Sequence, residues 1–144
     1  MRYFEAHVDI DAPTGHVWEE LVDAGNWPSW DSGVDSVDGR VAPGEKITVR
    51  SAAAPGRAFP VRVTTFDAPG RLVVTGGMPL GLFRGGVRTY TIDQAEGGCR
   101  FTMREEYSGP LTGLIWRSMP DLGPSFRQFA EGLKRRVEHD TAAR

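Results

Sequence analysis

The chain has 144 residues, 40% of them hydrophobic and 25% charged, with a formal net charge of −2. That composition gives one ordinary domain with enough apolar material for a single core, and it excludes a disordered chain. Without a run of like charges there is no basic footprint for nucleic acid, so no nucleic-acid partner is expected.

Phe4, Ala6, Val8 and Ile10 alternate with Glu5, His7, Asp9 and Asp11, which predicts a first strand with one buried and one wet face. Asp11-Ala12-Pro13-Thr14 punctuates the chain, and a helix follows through about Asp23 with Val17 and Leu21 on one stripe. Asn26 to Asp31 reads as a tight turn or a short second helix, because Pro28 and its small polar neighbours oppose a longer one. From about Gly33 to Gly109 the pattern is strands separated by turn signals. Val34 to Arg40 is weakly patterned, Lys46 to Arg50 alternates, and Phe59, Val61 and Val63 alternate up to Asp67. Arg71 to Thr75 follows, and Gly76 to Phe83 is apolar yet full of breakers, which predicts a loop.

The sharpest pattern comes next. Arg88, Tyr90 and Ile92 share one strand face. After the Gly97-Gly98 turn, Phe101, Met103, Glu105 and Tyr107 share another. Ile92, Phe101 and Met103 mark these faces as inner, which carries Arg88 and Glu105 inward too. A charge on an apolar face needs a partner or a job. Greasy walls with a few polar groups are the usual make-up of a small-molecule pocket. In the tail, Leu111, Leu114, Ile115 and Met119 have helical spacing, interrupted by Pro120 and Pro124. Leu122, Phe126, Phe129, Leu133 and Val137 then form the stripe of a long amphipathic helix, kinked by the prolines, which must cover the concave face of the sheet. Lys134-Arg135-Arg136 is read as cations at that helix's C-terminus.

A lone Cys99 excludes an intramolecular disulfide and a Cys-based zinc site, and reads as a small buried side chain. His7, His16 and His139 have no second ligand at metal spacing, so no metal is expected. Nor is a cofactor, since there is no Gly-rich phosphate loop and no Ser-His-Asp arrangement. No apolar run can span a bilayer, so stable membrane insertion is not expected. The strand pattern begins at Tyr3 with no signal segment ahead of it, which makes a cytoplasmic location the expectation.

The order of elements resembles the helix-grip fold of the START-like superfamily, which includes the Bet v 1-like proteins and the polyketide cyclase/dehydrase and lipid transport (SRPBCC) family. The resemblance is carried by Val8-Asp9-Ile10-Asp11-Ala12-Pro13 with Val17-Trp18, by Asn26-Trp27-Pro28-Ser29-Trp30, and by Tyr90-Thr91-Ile92. It continues in Gly97-Gly98-Cys99-Arg100-Phe101 leading to Glu105-Glu106-Tyr107-Ser108-Gly109, and in Phe126 to Lys134. It implies a single α+β domain over residues 1–144. In that domain a curved antiparallel sheet of about seven strands wraps a long C-terminal helix, with two short helices after the first strand. Members hold lipids, sterols, hormones or polyketides in a cavity between sheet and helix; only some do chemistry, and no catalytic motif is universal. Relatives commonly carry an apolar residue where this chain has Arg88 and Thr where it has Cys99, whereas an inward Glu105 matches a common pattern.

Arg88 is the leading candidate: its guanidinium suits a carboxylate, enolate or polyketide carbonyl. The bland alternatives are an internal salt bridge to Glu105, or a bulge at Gly85-Gly86 that turns Arg88 outward. Glu105 is either a general base or an anchor for Arg88 and backbone donors. Tyr90 and Tyr107 suit a wet, greasy cavity, where either orients a ligand oxygen or, equally, packs in the core with its hydroxyl satisfied. Trp27 and Trp30 flank Pro28 near the cavity mouth, where they pack the short helical piece or, as the lesser alternative, stack on a ligand; Trp116 and Met119 line the entrance; Met78 to Phe83 form an opposing lid. Phe59, Val61, Met103 and Phe126 complete the expected lining. The leading expectation is a binding protein for a hydrophobic small molecule, lipid or polyketide-like, as its partner. The alternatives are a polyketide cyclase or aromatase using Arg88 and Glu105, and a co-chaperone-like interaction module. Turnover and oligomeric state stay open.

Overall fold

The computed structural model describes residues 2–76 and 86–144, and its first and last strands lie side by side. Strand β1 (Arg2–Ile10) leads through helix α1 (Thr14–Val22) and a short 3-10 segment, Ala24–Ser29, to β2 (Val34–Asp38) at the opposite edge of the sheet. Strands β3 (Lys46–Ser51), β4 (Phe59–Asp67), β5 (Arg71–Thr75), β6 (Val87–Ala95) and β7 (Gly98–Tyr107) then step back one neighbour at a time until β7 meets β1. The sheet is antiparallel with seven strands in the order β1-β7-β6-β5-β4-β3-β2. Helices α2 (Thr112–Ser118) and α3 (Gly123–Ala143) follow, so the α+β helix-grip architecture is present. Register shifts at Val34/Ser36 and Val63/Thr65 put an extra residue in one strand, which bends the sheet and closes its inner face around α3.

Period-two alternation holds on the inner face. Ala6, Ile10, Tyr90, Ile92, Phe101 and Met103 are buried, whereas Glu5, His7 and Asp9 face solvent. On α3 the stripe Phe126, Phe129, Leu133 and Val137 is buried together with Ala130 and Gly132, and the helix packs over β1, β7 and α1. Each fully buried aliphatic or aromatic side chain there contributes about 1.5–3 kcal/mol. Gly132 has a packing reason, since a Cβ at that position would overlap the Asp31 carbonyl oxygen. The 3-10 segment is tied down from both sides: Trp27 Nε1 donates to the Leu21 carbonyl at 3.1 Å, and Ser32 Oγ donates to the Trp27 carbonyl at 2.7 Å.

Two expectations need correction. The tail is two helices and not one kinked helix: α2 stops at Ser118, Pro124 sits in the first turn of α3, and Leu122 is its N-cap residue. Proline is tolerated in a first turn because its missing N–H has no intrahelical acceptor there, so Pro124 starts a helix and does not interrupt one. Lys134, Arg135 and Arg136 are mid-helix, because α3 runs on to Ala143. They act as staples: Lys134 Nζ meets Glu138 at 2.6 Å, Arg135 meets Asp31 at 2.8 Å, and Arg136 Nε lies 3.2 Å from Asp140 and 3.5 Å from Glu20. The short second helix expected around Asn26 to Asp31 is present as the 3-10 segment Ala24–Ser29, which holds Pro28 inside it.

Candidate functional site

Four strands bring one row of side chains together on the inner face. Val74 of β5 pairs with Arg88 of β6, Arg88 with Glu105 of β7, and Glu105 with Phe4 of β1. The β6–β7 ladder runs without a register shift, so no bulge turns Arg88 outward. Tyr90 opposes Met103 one row further in, and Tyr107 opposes Arg2 one row further out.

Arg88 Nη2 donates to Glu105 Oε2 at 3.1 Å, and the Tyr107 hydroxyl donates to the same oxygen at 2.5 Å. The Arg88 side chain is 27% exposed and that of Glu105 12%. Beneath the guanidinium lies the Phe126 ring, 4.8 Å from Cζ to the ring centroid. Arg88 Nε is buried with no hydrogen-bond acceptor among the described residues. A buried donor left without a partner is unusual and asks for an explanation.

Electrostatics fix the charge states. Burial opposes the charge on Arg88, but Glu105 and Tyr90 outweigh it and hold the guanidinium above the ordinary arginine value. Burial pushes the Tyr107 hydroxyl above its ordinary value and the Glu105 charge adds to this, so Tyr107 stays a neutral donor. Tyr90 is likewise raised, first by burial and against the pull of Arg88. The set therefore holds the Arg88 cation and two neutral phenols beside the Glu105 carboxyl group. Chemically it can donate hydrogen bonds to an oxygen from Arg88, while Glu105 accepts from the Tyr107 hydroxyl.

Two aromatic clusters flank this row. Towards the 3-10 segment, Phe129 touches Trp27, Trp30, Tyr90 and Phe101, with ring centroids 5.0, 5.3, 6.0 and 6.3 Å away. These rings fill the deep half of the interior. At the other end Phe4 stacks on Trp116 at 5.0 Å and meets Phe126 at 5.9 Å and Tyr107 at 6.1 Å.

Of the expected site residues, Arg88, Tyr90, Glu105, Tyr107, Trp116 and Phe126 come together around the ion pair and these clusters. Met103 is buried beside Tyr90, Trp30 belongs to the deep cluster with a buried indole N–H that has no partner among the described residues, and Val61 and Met119 are half-buried. Phe59 does not join them: it opens β4 at the last rung of the β3–β4 ladder and is 41% exposed. Met78 and Phe83, with the lid assigned to residues 78–83, lie outside the described residues; Gly76 N–H donates to Gly86 O at 3.1 Å. Phe4 was missed as a lining residue, although its place on the buried face of β1 was the signal for it.

Two open hollows of about 550 and 410 Å³ occur elsewhere among the described residues, where the β6–β7 turn meets the end of β1. The larger is lined by Asp9, Asp11, Asp93, Glu96, Arg100 and Lys134, none of them an expected site residue. Cys99 also borders it but is buried, and that burial raises its thiol above the ordinary value.

With this geometry in hand, comparison with known proteins is informative. The family model described as polyketide cyclase / dehydrase and lipid transport matches residues 1–138. The chain belongs to that family. Among solved structures, the TTHA0849 protein of Thermus thermophilus is 18% identical with a TM-score of 0.72, covering 97% of this chain and 99% of that one. The jhp0584 protein of Helicobacter pylori is 14% identical with a TM-score of 0.75, over 94% of this chain and 88% of its own. DynU16, a protein of the dynemicin biosynthetic locus, is 16% identical with a TM-score of 0.68, over 96% of this chain and 48% of its own length. At these identities the likeness concerns the fold alone. No curated protein matches the chain in sequence. Among the described residues no helix is long and apolar enough to cross a membrane. For a polyketide cyclase / dehydrase and lipid transport protein, an arginine paired to a glutamate at this inner position is the feature on which a functional reading turns.

Proposed function

We propose that this protein binds a hydrophobic small molecule, lipid-like or polyketide-like, between the sheet and α3, with Arg88 fixing its one polar end. The observation that carries this reading is the buried Nε–H of Arg88, a donor without an acceptor among the described residues, set over the Phe126 ring. Family membership supports the ligand class. Room for the ligand comes at the Phe4, Trp116 and Tyr107 end. There α2 has no buried residue and Leu114 is 68% exposed, so that helix shifts at low cost. Burial of the ligand's apolar surface supplies most of the affinity, at about 25 cal/mol per Å² before the ordering costs of association.

A second reading, catalysis of an aldol cyclisation or dehydration, is favoured by one observation. Glu105 Oε2 already accepts from both Arg88 and the Tyr107 hydroxyl, which would let Arg88 and the tyrosine polarise a carbonyl while Glu105 moves a proton. Native mass spectrometry of the purified protein tests the first reading by seeking a bound small molecule. Arg88→Ala then separates the two: lost binding marks a carrier, and retained binding with lost turnover marks an enzyme. A variant unchanged in both respects sinks both readings.

A further inference from the structure

We propose that Glu105 is the specificity-determining residue of this site: because it already neutralises Arg88, the site admits a neutral hydrogen-bond acceptor, such as an ester or ketone carbonyl, and rejects a carboxylate. The inference deepens the ligand-binding reading above and rests on it.

Among the described residues, what Arg88 lacks is an acceptor for its Nε–H and not a countercharge. The charge of Arg88 is met from within, by a carboxylate held opposite it in the ladder at 3.1 Å. The Tyr107 hydroxyl reinforces that carboxylate on the same oxygen. Meanwhile Arg88 Nε–H, buried, has no acceptor among the described residues. Among the described residues Arg2 stacks over Trp116 at 5.5 Å and is exposed at the rim, where water and salt screen it.

A ligand carboxylate arriving at Nε faces two unfavourable arrangements. If Glu105 stays, two carboxylates share one guanidinium in a half-buried place, which forces one of them to take up a proton. If Glu105 is displaced, its half-buried carboxylate keeps the Tyr107 hydroxyl but loses its cation, and breaking a half-buried ion pair in this way is unfavourable. A carbonyl oxygen avoids both, because it offers a lone pair to Nε–H and brings no charge. The faces of Phe126, Phe4 and Trp116 then take the apolar remainder of the molecule.

The test uses two ligands with one alkyl chain and different heads: decanoate and methyl decanoate, each titrated into the protein by calorimetry at neutral pH. The ester binds more tightly, by about tenfold or more, which corresponds to about 1.4 kcal/mol. In Glu105→Gln, which keeps an acceptor for Arg88 and Tyr107 but removes the charge, the order inverts and decanoate binds better. Glu105→Asp, which keeps the charge, keeps the preference for the ester. Decanoate binding the unaltered protein as well as the ester does overturns the charge filter and leaves the pocket standing. If neither ligand binds, the pocket reading and the filter fall together. The comparison on the unaltered protein decides the matter even if a Glu105 variant does not fold.

Discussion

Arg88 and Glu105 are direct cross-strand partners, and the 3.1 Å contact between Nη2 and Oε2 is therefore set by the β6–β7 ladder itself. Removing one member leaves the other's charge half-buried and alone, whereas removing both leaves two positions on a mostly apolar face. Arg88→Met should lower the unfolding free energy by about 2–3 kcal/mol, somewhat less than for a fully buried pair because the guanidinium keeps some solvent. Arg88→Met combined with Glu105→Leu should cost clearly less than the two single changes together. Denaturant melts of the four proteins measure this, and strictly additive losses would show that the pair is not coupled.

Two helical glycines should respond to alanine with opposite signs. Intrinsic propensity favours alanine over glycine inside a helix by about 1 kcal/mol. Gly113 in α2 has nothing within 4 Å of a new Cβ, so Gly113→Ala should stabilise. At Gly132 the new Cβ would overlap the Asp31 carbonyl oxygen, so Gly132→Ala should destabilise despite the better helix former. Thermal melts of both variants check the pair of signs.

Phe129 ties the deep cluster together through Trp27, Trp30, Tyr90 and Phe101. Phe129→Ala should cost about 3–5 kcal/mol, the range for a large aromatic lost from a core. Leu114→Ser, at the most exposed large apolar residue among those described, should stay within about 0.5 kcal/mol. Equal losses at the two sites would mean that α2 packs more tightly than its exposure implies.

Much of this was legible in the sequence, and the exceptions have physical causes. The inner faces of β6 and β7 could be read because, Arg88 and Glu105 apart, large apolar and aromatic side chains recur along one side of each strand and the Gly97-Gly98 turn fixes their register, with Gly97 at φ 78°. Strand β2 was faint because Val-Asp-Ser-Val-Asp sits on an edge and its alternation is broken by the shift between Val34 and Ser36. Alternation also placed Phe59 with Val61 and Val63, yet burial falls off along β4 from Val63 at 1% exposed to Phe59 at 41%. Period-two reasoning assigns a face; it does not say how far the covering helix reaches. The basic run at 134–136 was misjudged because proximity to the chain's end is no guide to a helix end when ion pairs at i, i+4 carry the helix onward.

Two glutamates should give acid titrations of opposite sense. For Glu138 burial works against ionisation, but the Lys134 ammonium and the Asp11 N–H prevail and hold its pKa below the ordinary value of 4.5. Its contribution is thus fully present above 4.5 and is lost as pH falls through the lowered value, so Glu138→Gln should flatten the acid limb of the stability curve. Glu20 is raised above 4.5 by burial and by Asp140 beside it, with Arg136 opposing. Its contribution is present below 4.5 and lost as pH rises through the raised value, so Glu20→Gln should gain on the parent protein towards neutral pH. Unfolding free energies measured from neutral pH downwards check both.

The Nε–H of Arg88 is the atom on which the ligand-binding account stands, and its NMR resonance reports on it directly. Titration with methyl decanoate should shift that signal and slow its exchange with water, in step with saturation, as a carbonyl oxygen accepts from the Nε–H. A resonance that stays put while the ester saturates the protein, or no saturation at all, would contradict the account.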